Sequence, residues 1–140
     1  ELEEINADEL AELDRALGKG GRGKGTQKAM DGSAGALKDL TDTQKKRTTR
    51  SIRDTLDLAL VDLTGLYRDA LMIHTGAQVP LTHPDFSGLA GDLAGRVSET
   101  GLVDCLDAVA QCRERINVNV TPVIAFDGMI GRIRQACQVS

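Results

Sequence analysis

The sequence predicts an all-α fold: a five- to six-helix bundle with one long central helix. Three observations carry this. Apolar residues recur at steps of three and four along most of the chain. Helix start and stop residues bracket those runs. Strand signals are few, because stretches of alternating apolar and polar residues are short and rare. The length of 140 residues suits roughly one domain with a self-sufficient core. Aromatic residues are only 2% of the chain, with no Trp, so the core must be aliphatic.

The first element is a short amphipathic helix over about 6–17. Asn6 and Glu9 have the spacing of a capping box, and Leu10, Leu13 and Leu17 follow on one face. Acidic residues in its early turns suit the positive end of the helix dipole. Residues 18–25 read Gly-Lys-Gly-Gly-Arg-Gly-Lys-Gly, whose backbone entropy disfavours helix and strand and predicts a flexible basic linker. The signal stays weak to Gly35, which sets a division into 1–35, an acidic helix with linker, and 36–140, a helical domain. A long helix is predicted over about 36–74, with a possible break near Thr41. Leu37 and Leu40 begin its pattern, Ile52, Leu56, Ala59, Leu60, Leu63, Leu66, Tyr67, Ala70 and Leu71 continue it, and Gly76 is its stop.

Pro80 and Pro84 mark the loop that follows, with a locally extended stretch over 78–81. Leu89, Leu93 and Val97 predict a short helix over about 85–97, although Gly88, Gly91 and Gly95 each cost it ~1 kcal/mol relative to Ala. Thr100 is the expected cap of the next helix, which carries Leu102, Leu106, Val109 and Ile116 to about Asn117. After a turn over 117–120, Thr121 as N-cap and Pro122 as first helical residue open a last helix to about Cys137.

Charge is laid out in three blocks. Residues 1–17 hold seven acids and one base, 18–53 hold ten bases and three acids, and 54–140 hold eleven acids and six bases. The central block could steer an anionic partner. Arg47, Arg50 and Arg53 recur every three residues and could contact phosphates or acidic protein faces. The plain alternative is a solvated helix face. Scarce aromatics argue against a base-stacking platform. No apolar run approaches the ~18 residues of a membrane span, and no signal peptide is visible. The chain opens on Glu1 without Met, which suggests a piece of a longer protein.

Chemical motifs are weak. Gly18-x-Gly20-x-x-Gly23 matches a dinucleotide fingerprint, and Gly18-x4-Gly23-Lys24 begins like a phosphate loop. Gly25 stands where the phosphate loop needs a hydroxyl for Mg²⁺, and both motifs require a preceding strand. Cys105, Cys112 and Cys137 lack metal-ligand spacing, and as an odd set they suit a reducing compartment and small-hydrophobe roles. His74 sits where a cation suits a helix C-terminus, and His83 lies in a loop. No catalytic residue, cofactor or metal ligand is expected.

One resemblance is carried by order and spacing. The segments are Gln44-Lys-Lys-Arg-Thr-Thr-Arg-Ser-Ile-Arg-Asp, then Thr55 to Leu71 with its glycine stop, then Leu89–Val97. Asp104-Cys-Leu-Asp-Ala-Val-Ala-Gln-Cys-Arg-Glu and Asn117-Val-Asn-Val-Thr-Pro complete the set. Over about 44–137 this resembles the C-terminal domain of the delta-prime subunit of the bacterial DNA polymerase III clamp loader, in its actinobacterial form. The resemblance implies an all-α collar domain that joins clamp-loader subunits in a pentameric ring for sliding-clamp loading in DNA replication. It implies a cytoplasmic, non-catalytic piece, since the AAA+ modules are not in this sequence; the polymerase belongs to the parent holoenzyme. Expected partners are the gamma/tau and delta subunits, with DNA and the clamp reached only indirectly. Partner contacts are expected at Arg47, Arg50, Arg68, Met129, Arg132 and Ile133. The alternative is a helical nucleic-acid-binding module using the basic segment 18–53.

Overall fold

A computed structural model describes residues 1–18 and 26–139, with side chains over 1–17 and 32–139. Among the described residues five α-helices follow one another: α1 (Leu2–Gly18), α2 (Thr26–Thr75), α3 (Ser87–Arg96), α4 (Glu99–Asn117) and α5 (Pro122–Ala136). A 3-10 turn, Pro84–Phe86, precedes α3. No strand occurs among the described residues, so the chain is all-α. It forms two compact units, Glu1–Ile52 and Arg53–Ser140, whose boundary falls inside α2.

Several boundaries differ from the sequence-based expectation. α1 begins at Leu2, so Asn6 and Glu9 lie inside the helix and cap nothing. The Asn-x-x-Glu spacing also places two polar side chains on one helix face, and that use prevails here. α2 starts at Thr26, ten residues earlier than the periodicity indicates, and it runs through Gly32 and Gly35. There is no break at Thr41, whose hydroxyl bonds back to the Leu37 carbonyl at 2.9 Å inside the helix. Of the flexible linker and glycine motifs expected over 18–25, Gly18 is the last residue of α1 and residues 19–25 lie outside the described residues.

In the first unit, α1 meets the 44–48 stretch of α2 through polar side chains. Gln44 donates to the Asn6 carbonyl at 2.8 Å and to Glu9 at 3.1 Å. Arg47 forks onto Glu9 at 2.7 and 3.1 Å and also reaches the Asn6 side-chain oxygen. Asn6 in turn donates to Thr48 at 3.2 Å. Among the described residues this unit has no fully buried apolar side chain; Gln44 is its buried residue.

The second unit holds the apolar core. Leu60, Tyr67 and Ala70 of α2 pack with Ala90, Val97, Leu102, Cys105, Val109, Cys112 and Ile116, and with Ala125 and Met129 of α5. α2 ends as predicted. Gly76 adopts φ 72°, its N–H bonds to the Ile73 carbonyl at 3.1 Å, and the Ala77 N–H bonds to Met72 at 3.0 Å, which closes a Schellman motif. Ser98, not Thr100, caps α4: its Oγ accepts the Gly101 N–H at 3.0 Å. Pro122 opens α5 as expected, while the Thr121 side chain makes no capping bond.

Candidate protein-interaction surfaces

The loop after α2 is held by one buried carboxylate. Asp69 is 1% exposed and accepts the backbone N–H groups of Thr82 and His83, both at 2.8 Å. Arg68 closes the loop from outside, donating to the Pro80 carbonyl at 3.2 Å, to the Thr82 hydroxyl at 3.1 Å and to Asp69 at 3.1 Å. Burial alone would raise the Asp69 carboxyl. The Thr82 and His83 N–H groups, with the Thr82 and Arg68 side chains, outweigh it and hold the group below the usual carboxylate range.

This anchor lays the His83 ring on α2 where the helix has no side chain. A Cβ at Gly65 would lie 2.5 Å from His83 Nε2 and 2.7 Å from Cδ2. Phe86 meets the imidazole edge-on, with ring centroids 6.4 Å apart. His83 Nε2 is shielded from solvent without a hydrogen-bond partner, and Asp62 is its nearest carboxylate at 3.9 Å. Beside the two rings lies an open, apolar groove of about 360 Å³, floored by Ala59, Leu63 and Leu66 and edged by Phe86, Leu89 and Asp62. Phe86 is 58% exposed, and Leu58, on the same helix as the floor, is 68% exposed.

A second apolar groove, of about 410 Å³, runs between Leu56 of α2 and Pro122, Val123 and Phe126 of α5. Val123, Ile124 and Ile130 all stand exposed on α5. Next to Leu56, Asp57 of α2 takes a fork from Arg113 of α4, at 2.7 and 3.1 Å. Arg113 keeps the Asp57 carboxyl below its ordinary range. Contiguous exposed apolar patches, rather than single apolar residues, are what mark surfaces that another protein covers.

The six residues expected at partner contacts fall into unlike settings. Arg47 is committed to Glu9 and Asn6 within the first unit, and its Nε is buried without a partner. Glu9 is held below the ordinary glutamate range by that guanidinium and by Gln44. Arg50 is exposed. Arg68 is the outer clasp of the 80–82 loop. Met129 is 5% exposed and lies in the core, so its surface is already covered by this chain. Arg132 donates to Gln111 at 2.7 Å, and Ile133 is half-buried against the core. Lys45 and Lys46 stand exposed.

His74 donates from Nδ1 to the Ala94 carbonyl at 2.8 Å, tying the end of α2 to α3. Among the described residues no group of three or more His, Cys, Asp or Glu side chains converges as a metal site would require. No helix among them is long and apolar enough to cross a membrane. Asp69, Gly65 and the two grooves escape sequence reasoning. An Asp on a helix reads as solvated, and its loop partners are 13 and 14 residues away. Leu58 lies off the expected apolar stripe of α2 and is exposed, but Ile52, on that stripe, is exposed too, so periodicity alone does not find the grooves.

Against known proteins, no family model, no curated protein and no solved structure matches this chain.

Proposed function

We propose that the chain is a non-catalytic subunit-assembly domain, the collar domain of a clamp-loader subunit of delta-prime type. It holds gamma/tau and delta neighbours in a pentameric loader in the cytoplasm during sliding-clamp loading. The resemblance over about 44–137 motivates the identity. The observation that carries the assembly role is the pair of apolar grooves, with Leu58, Phe86, Leu89, Val123 and Ile124 left in water. Covering them with a neighbour's helices would remove apolar surface from water at about 25 cal/mol per Å², while the surrounding carboxylates, Asp62 and Asp127, favour a partner with a basic rim.

The test is a titration of the full chain against the gamma/tau collar. Binding is expected, and Leu58→Glu with Phe86→Glu should weaken it by about tenfold or more. Both side chains are mostly exposed, so the thermal midpoint should hold. Failure to bind, or an unchanged affinity in the double variant, overturns the assignment.

Exposed Lys45, Lys46 and Arg50 favour the second possibility, a nucleic-acid module built on 18–53. Its central cation, Arg47, is already engaged by Glu9. DNA affinity that falls steeply between two salt concentrations would favour the module. No binding at low salt removes it.

A further inference from the structure

Cys105 sits in the middle of α4 with no exposure, and Cys137 caps the end of α5 half-buried. The two sulfurs lie 3.8 Å apart although the residues are 32 positions apart in sequence. Cys112, one face-repeat further along α4, is fully buried. We propose that Cys105 and Cys137 are an oxidisable pair, a modification site at which a hydroperoxide converts two core thiols into a disulfide joining α4 to α5.

The roles follow from access and ionisation. Of the two residues, only Cys137 has any solvent exposure, which makes it the one open to peroxide. Cys105 is pushed up to about 12, first by burial and then by the neighbouring Cys137, so it stays protonated and does not attack peroxide itself. The Cys137 sulfur attacks one peroxide oxygen as it gives up its S–H proton, and the O–O bond breaks. Sulfenic acid forms at Cys137, and the leaving oxygen departs as water or an alcohol after taking a proton. The Cys105 sulfur then attacks the sulfenic sulfur. The S–O bond breaks, the hydroxide takes the Cys105 proton and leaves as water, and the S–S bond forms. Two thiols lose two electrons, and one peroxide gains them.

Bonding requires the sulfurs to close from contact to ~2.05 Å. Rotation about the Cα–Cβ bond of Cys137, at the end of α5, can supply that approach. This residue closes α5, and Gln138 beyond it already leaves the helix with φ 55°. Cys112 has no sulfur at this distance, and burial pushes its thiol up as well, so it remains reduced.

The test treats the full chain with hydrogen peroxide, then alkylates free thiols under denaturing conditions and maps the peptides. Expected are the loss of two hydrogens, a Cys105–Cys137 linked peptide, and alkylation of Cys112 alone. The thermal midpoint should rise by roughly 10–20 °C, because the bond closes a long loop of the unfolded chain. Dithiothreitol should reverse both changes. Cys137→Ser should abolish the linkage and Cys112→Ser should leave it intact. In Cys105→Ser, the Cys137 sulfenic acid should persist and be trapped by dimedone. The proposal is overturned by linkage through Cys112, by disulfides only between molecules, or by three free thiols after treatment.

Discussion

Asp69 shows how one side chain can set a loop. Its carboxylate is taken out of water, and two backbone N–H groups at 2.8 Å replace the lost hydration. Replacing it by Ala would leave both donors unpaired next to Arg68, so Asp69→Ala should cost about 3 kcal/mol, read by chemical denaturation. Its folded pKa lies below the unfolded value, so the carboxylate's contribution is complete above the ordinary carboxyl range. It is lost as pH falls through the lower folded value, and Asp69→Asn should flatten that acid limb. Gly65 is the reciprocal case. Ala there gains ~1 kcal/mol of helix propensity but drives a methyl into the His83 ring at 2.5 Å, a clash of roughly 1–3 kcal/mol. Gly65→Ala should therefore destabilise the native protein by up to about 2 kcal/mol. In a His83→Ala background the same change should stabilise by about 1 kcal/mol. Equal effects in both backgrounds would show that the ring does not depend on the bare helix face.

At the level of elements, what the sequence discloses is what local chemistry decides. The stop at Gly76 and the start at Pro122 need no distant partner, and both were legible. The start of α2 was hidden because glycines at 32 and 35 weaken any helix signal by ~1 kcal/mol apiece. The start of α1 was hidden because Asn6 and Glu9 satisfy a capping pattern while serving Gln44 and Arg47, 38 and 41 residues away at their longest reach. Thr100 and Ser98 are both capping residues by type, Ser somewhat the better. Ser98 holds the position because Val97 is extended and the Gly101 N–H then points at its hydroxyl. Ser98→Ala should cost ~1 kcal/mol and Thr100→Ala almost nothing, measured as shifts in denaturation midpoint. Gly101 also lets α4 meet the end of α5. A Cβ there would stand 2.5 Å from the Ala136 carbonyl oxygen, a backbone atom that cannot rotate away. The apolar stripe of α2 was likewise readable, but which apolar residues stay in water was not, since exposure depends on neighbours that periodicity does not name.

On the scale of the whole molecule, the two compact units are held by different forces. Every fully buried apolar side chain among the described residues lies at Leu60 or beyond. The unit Glu1–Ile52 relies instead on Asn6, Glu9, Gln44, Arg47 and Thr48, and polar contacts open to water add little net stability. Opening should then proceed in two steps. In hydrogen exchange, the amides of α1 should exchange at least ~100-fold faster than those of 102–116 in α4. The Glu9 carboxyl is held below its ordinary range, so its hold on Arg47 is fully present above that range. The hold weakens as pH drops through the folded value. Glu9→Gln should reproduce the acid effect at neutral pH: faster exchange in α1 and no change in α4. A single shared opening rate for both helices would mean that the polar contacts of α1 are coupled to the apolar core, and the two-step picture would be wrong.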